Sequence, residues 1–518
     1  MSAPTNHRCG KDRLSDLPDG VLGSILSYLP IKEAGRAAVL GRRWRHAFAG
    51  VDTLSFVQDE VHDNNDDSFT GDAMEMRSAN GDFIDEVNAA LLSRRRCGAR
   101  AAPRTFRVNF GCYDWWDQDM LDRWLYYVLD RCSPELHLDL RLQHADLREH
   151  HVNEPYNGEG DGDCYALYDA DVPADDRCPA SYQHYSPDEY RLPQRLFSCV
   201  ALRTLRLGAC TLEPPNLIHL PFLDTLLLSA IKSTGDNIQR LISGCPRLVD
   251  LTLERCGYTD KYYGDPIPDE NFTIAVLDKR LQRLSLRCCH NLVRVSIDAS
   301  ELRTFEYRGA VPSGSLLALQ QSLHKISSCT IGLCGKKVYK EELPLFREFL
   351  QGFIGTRHLH LVSTHLGSGI GNEVFSGFPY FPNLDQLELT GYLGGRSIKA
   401  VTRMLQLAPN IEILSLFMKP SIEGRYYYEL SNEPGARLGS TALNVSIPCL
   451  RNRVRRINLV HYQGDEAHRY VAKLLLCNAM VLEQVCLVLP RGAHEVQARL
   501  KKEIEGWLVN KSAKTIFL

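Results

Sequence analysis

The chain has no CxxC pair among its 17 cysteines, so zinc-ribbon and thioredoxin-type chemistry lack a local ligand pair. The odd count leaves at least one thiol unpaired. GxxxxGK[ST], GxSxG and HExxH are all missing. That removes three common short signatures of phosphate binding, acyl hydrolysis and zinc peptidases. No apolar run approaches the roughly 20 residues that span a bilayer. The opening MSAPTNHRCGKDR has no apolar core of the signal-peptide type. Net charge is −3 over 518 residues, with no global bias towards nucleic acid or anionic membranes. These absences predict a cytoplasmic and/or nuclear protein with reduced thiols. They also predict a chain that is not an enzyme and carries no cofactor and no metal.

What is present is ordinary in composition, 44% hydrophobic and 24% charged, and unusual in pattern. Leu14 to Phe48 reads LSDLPDGVLGSILSYLPIKEAGRAAVLGRRWRHAF. Leu17, Leu22, Ile25, Leu26 and Leu29 recur at helical spacing. Pro18 follows the candidate caps Ser15 and Asp16, and Pro30 closes the helix because its ring removes a donor. A second helix is predicted over Ile31 to Leu40. A third starts near Gly41, with Leu40, Trp44 and Phe48 at i, i+4, i+8. Three short helices bury little surface alone. The leftover apolar face belongs either to the rest of the chain or to a partner.

This stretch resembles an F-box. The Leu17-Pro18, Ile25-Leu26, Leu29-Pro30 and Arg43-Trp44 pairs fall in the family's order, although Gly41 stands where serine is common. The resemblance implies docking to a Skp-type adaptor and, through it, to a cullin–RING ubiquitin ligase. It also implies that adaptor contacts come from Leu17, Pro18, Leu22, Ile25, Leu26, Leu29, Pro30, Leu40 and Trp44. Helical periodicity does not divide these nine between core and interface.

The chain is then predicted to run as an F-box module over 11–50, an acidic linker and helix over 51–101, and a repeat region over 102–440. A C-terminal region follows over 441–518. The linker is rich in Asp, Asn, Gly and Ser over 57–82, and its helix is predicted from Asp82 to Arg96. Thr105 to Phe110 alternates as a strand, Asp117 to Arg131 reads as an amphipathic helix, and Leu136, Leu138 and Leu140 alternate again. That is the strand–helix–strand unit of a parallel sheet. An acidic, tyrosine-rich insertion at 143–190 interrupts it. Its Asp161-Gly162-Asp163 lacks the glycine and closing glutamate of a calcium loop.

After Leu192 the pattern LxxLxL recurs, as at Leu202-Leu205-Leu207, Leu223-Leu226-Leu228, Leu248-Leu251-Leu253, Leu281-Leu284-Leu286 and Leu302-Phe305-Tyr307. It continues at Leu384-Leu387-Leu389, Ile411-Leu414-Leu416, Val454-Ile457-Leu459 and Leu482-Val485-Leu487. Starts are 21, 25, 33 and 21 residues apart over the first five, within the range of irregular leucine-rich repeats. Leu323 to Leu333 and Arg357 to Val362 are weaker units in the gap. The predicted fold is α/β: an N-terminal helical module, then a leucine-rich-repeat solenoid with parallel strands on its concave face. Helices or looser turns connect the strands. Cys210, Cys256 and Cys289 each fall three residues past a last leucine (or its equivalent), the N/C position of the repeat, and read as structural.

On each LxxLxL strand the leucines face inward, so the residues between them face outward. The candidate target-binding surface is therefore Thr204, Arg206, Asp250, Thr252, Arg283, Ser285, Glu306, Glu388 and Ser415. Its charges are mixed, which suits a protein partner better than nucleic acid. His358 and His360 are expected on the same outer face. Leu443 to Leu518 resembles the FBD region that ends many plant F-box proteins with leucine-rich repeats. Together the resemblances imply the substrate-recognition subunit of an SCF-type E3 ligase. The alternative is a leucine-rich-repeat scaffold or receptor acting without ligase assembly.

Overall fold

The computed structural model describes residues 17–29, 31–58, 72–96, 103–111, 113, 115–131, 134–142, 190–231, 233–256, 271–277, 280–289, 291–298, 300–312, 314–319, 325–333, 342–366, 375, 377–393, 395–418, 447–489 and 494–517. The chain divides into two compact units. One is Met1–Pro155 with Gln183–Leu248, the other Tyr156–Tyr182 with Val249–Leu518. The insertion at 143–190 lies outside the described residues except for Tyr190.

The first unit begins with three short helices, α1 (Asp19–Leu26), α2 (Ile31–Val39) and α3 (Arg42–Ala49). Pro18 is the residue before α1, and its carbonyl accepts from Val21 at 2.9 Å and Leu22 at 3.1 Å. The next elements are β1 (Thr53–Val57), α4 (Asp72–Arg96), β2 (Thr105–Phe110), α5 (Gln118–Asp130) and β3 (Leu136–Leu142). Beyond the insertion come β4 (Leu202–Gly208), β5 (Thr225–Ser229) and α6 (Gly235–Ser243). β1 to β5 pair in chain order, all parallel.

Two expectations change here. The sheet begins at β1, inside the stretch read as linker and helix. Leu54 and Phe56 point into the core, but an alternation of only five residues gives a weak strand signal. α4 starts ten residues earlier than predicted. Near its end Arg94 is buried and donates from Nη1 to the Val51 carbonyl at 2.6 Å.

The second unit holds β6 (Asp250–Glu254), β8 (Arg283–Arg287), β10 (Thr304–Gly309) and β12 (Ser328–Leu333). These are interleaved with β7 (Phe272–Val276), β9 (Leu292–Ile297) and β11 (Leu317–Leu319). It continues through α7 (Leu343–Gln351), β13 (His358–Leu366), β14 (Gln386–Leu393), α8 (Gly395–Leu407) and β15 (Ile413–Met418). It ends with α9 (Pro448–Asn452), β16 (Arg456–Val460), α10 (Glu466–Asn478), β17 (Gln484–Val488), α11 (His494–Trp507) and β18 (Lys514–Phe517). β6, β8, β10 and β12 to β18 form one parallel ladder.

β7, β9 and β11 form a separate three-stranded parallel sheet. Connections there are strands rather than the expected helices or turns. From Arg283 to Thr304 a repeat is only 21 residues, whereas Gln386 to Ile413, which holds α8, is 27. At β9 the short repeat leaves no room for a helix of three turns, and Val293, Val295 and Ile297 favour an extended path; β7 lies in the 33-residue connection from Asp250 to Arg283, where length alone allows a helix. The last strand, β18, is also absent from the predicted elements, because Thr515, Ile516 and Phe517 carry too short an alternation to register.

The leucines of the ladder are buried: Leu205, Leu207, Leu226, Leu228, Leu251, Leu253, Leu284 and Leu286 are all at most 1% exposed. A left-handed residue follows several strands: Ala209, Ala230, Arg255, Cys288 and His461 have φ between 47° and 59°. Each lies two residues past the last leucine, and the bend it makes turns the next side chain inward. That next residue is Cys210, Ile231, Cys256, Cys289 or Tyr462, four of them at most 1% exposed and Cys289 half-buried. Cys289 Sγ lies 3.5 Å from the Leu253 carbonyl, the packing role expected of the N/C position.

Gly464, in the turn before α10, has φ +73°, and a Cβ there would run into the Leu500 side chain of α11. Gly464→Ala is expected to lower stability by about 1–3 kcal/mol, read as a shift in urea midpoint against wild type.

Candidate functional site

The three N-terminal helices sort the nine residues predicted for adaptor contact. Leu22 and Leu26 are buried and make the interior of the module with Ala34, Ala38, Ala47 and Phe48. Leu17 and Trp44 are half-buried. Pro18, Ile25, Leu29 and Leu40 are exposed. Pro30 lies outside the described residues. Leu22 and Leu26 are therefore corrected from contact to core: they sit one turn apart on the face of α1 that turns to α3.

Three exposed apolar residues were missed. Tyr28 is 90% exposed, Val39 77% and Val21 44%. Val21 and Ile25 are one turn apart on the outer face of α1, with Tyr28 and Leu29 in the turn after it. Val39 and Leu40 close α2. Their signal in the sequence was the apolar excess around the helix, which the periodic residues alone did not exhaust.

Arg43 sets the angle between α1 and α3. Its Nε meets Asp19 Oδ1 at 2.8 Å, and Nη2 donates to the Leu17 carbonyl. The pairing gives the Arg43-Trp44 motif a structural task. Lys32 of α2 reaches Glu86 of α4 at 3.3 Å, and buried Arg94 of α4 holds Val51. The three helices are thus tied to the element that leads into the sheet.

The open face of the sheet lies between the leucines. In the first unit the registered rows are Thr53–Thr105–His137–Thr204 and Ser55–Arg107–Asp139–Arg206. Thr204 and Arg206 lie on this face as expected, and His137 Nδ1 is 2.9 Å from Thr204 Oγ1. Arg107, His137, Asp139 and Arg141 were not singled out in the sequence, although the alternation over 105–110 and 136–142 places them on the same face.

In the second unit Asp250, Thr252, Arg283, Ser285, Glu306, Glu388 and Ser415 occupy that face. Arg283 Nε meets Asp250 Oδ2 at 2.8 Å and Arg287 Nε meets Glu306 Oε1 at 2.8 Å. Ser285 donates to Glu306 at 3.1 Å. Burial pushes the Glu254 carboxyl up, against the pull of Arg287. Ser415 is corrected: it is buried and accepts from Asn458 Nδ2 at 2.9 Å. A short side chain between longer neighbours is covered by them.

His358 and His360 share the face, but only His358 reaches the surface. His360 is buried, with Nε2 2.9 Å from Thr390 Oγ1. Ser328 Oγ is 3.1 Å from His358 Nδ1, and His358 Nε2 is 3.5 Å from Glu388 Oε1. Serine, imidazole and carboxylate in that order resemble a hydrolytic triad. β12, β13 and β14 are each paired on both sides, so their backbone N–H groups are engaged in the ladder. None is left to form an oxyanion hole beside Ser328. Gln386 Nε2 also holds Glu388 Oε1 at 2.7 Å. Ser328 and His358 are hydrogen-bonded, and Glu388 stands in ion-pair range of the ring, an arrangement that ties neighbouring strands together. Among the described residues no group of three metal-ligating side chains gathers.

The class of protein is set by these parts: a small helical module with large apolar residues exposed, ahead of parallel-strand leucine-rich repeats. The particular likeness is narrower. Residues 14–55 match the F-box domain, and residues 180–261 match the LRR repeats of FBD-associated F-box protein At5g56370. An F-box/FBD/LRR-repeat protein of Arabidopsis thaliana is 27% identical over 492 residues, covering 92% of each chain. FBD-associated F-box protein At5g22730 of the same plant is 23% identical, covering 95% of this chain and 91% of its own. F-box/LRR-repeat protein 13 is 22% identical, with 95% and 93% covered. The chain carries an F-box domain and FBD-associated leucine-rich repeats.

Burial pulls the His360 imidazole down to about 4, against the opposing pull of Glu388. The unfolded imidazole takes up its proton near pH 6.5. The folded state therefore loses stability as pH falls from 6.5 towards 4, by an amount on the order of 3 kcal/mol at most. Denaturant midpoints at pH 7, 5.5 and 4.5 measure this. His360→Gln should flatten the fall over that window.

Proposed function

We propose that this chain is the substrate-recognition subunit of an SCF-type E3 ubiquitin ligase. Its F-box docks a Skp-type adaptor and through it a cullin–RING core. The open face of its leucine-rich repeats holds a protein target. The chain makes and breaks no bond itself. Holding a target beside a charged conjugating enzyme raises the effective concentration of the target's lysine. The reading places the protein in the cytosol and/or the nucleus.

One observation carries the proposal: Val21, Ile25, Tyr28, Leu29, Val39 and Leu40 are exposed on a helical module whose own core is already filled by Leu22 and Leu26. Large apolar groups that a module does not need for its own core are suited to a partner. The F-box match over 14–55 supports a Skp-type adaptor as that partner. The mixed ion pairs of the sheet face support a protein target over nucleic acid.

The test is capture of a Skp-type adaptor by the purified full chain. Ile25→Asp with Leu29→Asp should reduce capture by more than about tenfold, since burying two unpaired carboxylates costs several kcal/mol, while the melting temperature stays close to wild type. Leu22→Ala should instead lower stability by about 2–5 kcal/mol. Equal capture by wild type and the double aspartate variant, both folded, would sink the docking reading. The scaffold alternative predicts that wild type captures no adaptor.

A further inference from the structure

The open face of the ladder changes in kind at its C-terminal end. Residues 447–518 carry 12 Lys and Arg against 6 Asp and Glu, whereas the whole chain is net −3. The remainder is therefore acidic, and the positive excess gathers in the last strands and helices. From β6 to β14 the open face answers its cations with Asp250, Glu254, Glu306 and Glu388. Among the described residues β15 to β18 present no carboxylate on that face. One registered row there is Arg456–Gln484–Lys514, and four residues along the strands another is Phe417–Val460–Val488.

Arg456 and Lys514 are exposed. Among the described residues neither side chain makes a hydrogen bond or an ion pair. They stand on β16 and β18 with β17 between them, so their backbones are about 10 Å apart. Both side chains are long enough to converge on one carboxylate. The acids nearby are engaged or out of the row. Glu483 pairs with Arg455, Glu388 is held by Gln386 at 2.7 Å, and Glu412 precedes β15, one position out of step with Arg456. Phe417, Val460 and Val488 are half-buried, a row of apolar side chains partly open to solvent and about 13 Å from the cationic row. Two cations beside an apolar row suit a peptide better than a phosphate backbone, which is tracked by on the order of six to ten contacts.

We propose that the β15–β18 face binds an extended, acidic segment of the protein target. A carboxylate sits between Arg456 and Lys514, and an apolar side chain packs on Phe417, Val460 and Val488. An extended chain rises about 3.3 Å per residue, so the two contacts fall four residues apart. The inference rests on the reading of the sheet face as target receptor and gives that receptor a motif. Charge complementarity selects the segment, and the apolar row sets its register.

Fluorescence anisotropy on the full chain tests this with three labelled Gly/Ser-rich peptides of about 12 residues, long enough to span both rows. The first carries two adjacent glutamates and a leucine four residues on. In the second, glutamines replace the glutamates. In the third, the leucine is moved next to the glutamates. The first should bind, with affinity falling between low and physiological salt. The second should bind at least about tenfold more weakly, and the third at least about threefold. Arg456→Glu/Lys514→Glu should weaken the first peptide at least about tenfold. Arg499→Glu should bind it like wild type: Arg499 is an exposed cation of α11, the helix behind the sheet whose Lys501 lies 4.8 Å over the Phe517 ring. Cys486 of β17 is half-buried on the open face between the two rows. The first peptide at saturation should slow its alkylation by iodoacetamide and leave that of exposed Cys477 on α10 unchanged.

A glutamine or moved-leucine peptide that binds as well as the first overturns the proposal. So does equal binding of the first peptide by wild type and Arg456→Glu/Lys514→Glu, an equal loss in Arg499→Glu, or an unchanged rate at Cys486. Stronger binding of a single-stranded DNA oligonucleotide than of the first peptide overturns it too. If the double charge reversal melts early, Arg456→Gln alone is decisive: undiminished binding there overturns the proposal. Adaptor capture is measured on the same samples. Capture without peptide binding by wild type means that this proposal has failed and adaptor docking stands. Peptide binding without capture supports the peptide site and overturns adaptor docking.

Discussion

Leucines stacked in register across parallel strands are the interaction on which the rest of the structure depends. A single LxxLxL strand has one apolar face and nothing of its own to cover it. Leu205 lies beside Leu138 and Leu226, and Leu387 beside Leu359 and Leu414. Full burial of each such side chain is worth about 1.5–3 kcal/mol, and that gain exists only when the neighbouring strand is in place. The left-handed residue two positions beyond the last leucine serves the same contact. It turns the chain under the sheet and drops a cysteine, isoleucine or tyrosine into the core.

That one constraint fixes the opposite face as well. Strand residues alternate, so whatever is not leucine is displayed in straight rows across the sheet. The rows do not have to be charged, and the two units fill them differently. In the first, three arginines gather on one buried aspartate. In the second, arginines and acids pair off, and His358, His360, Ser328 and Thr390 close into hydrogen bonds with Glu388 nearby. A scaffold built by repetition thus offers distinct chemistry at different positions with little change in backbone. The triad-like Ser328–His358–Glu388 order shows the limit: side chains come together, but a sheet interior has no free N–H groups to stabilise a developing oxyanion.

The docking helices use the opposite economy of surface. Their core is small, mostly alanine around Leu22, Leu26 and Phe48, and it leaves valine, isoleucine, tyrosine and leucine outside. Arg43 to Asp19 and Leu17 holds the helices at their angle, and Lys32, Glu86, Val51 and Arg94 tie them to α4 and the first strand.

The sequence by itself determined the F-box pattern, the LxxLxL strands, their parallel order and the structural standing of the N/C cysteines. Periodicity reports a side chain's face directly, and these segments are long or repeated enough to show it. Tertiary structure alone decided three matters. It divided the apolar helix residues into core and surface, because Leu22 and Ile25 look alike until α3 covers one and not the other. It made β7, β9 and β11 a second parallel sheet, because their short alternations gain partners only when the strands pair. It gathered Arg107, Arg141 and Arg206 on Asp139, since residues up to about 100 positions apart along the chain meet only when strands pair in register.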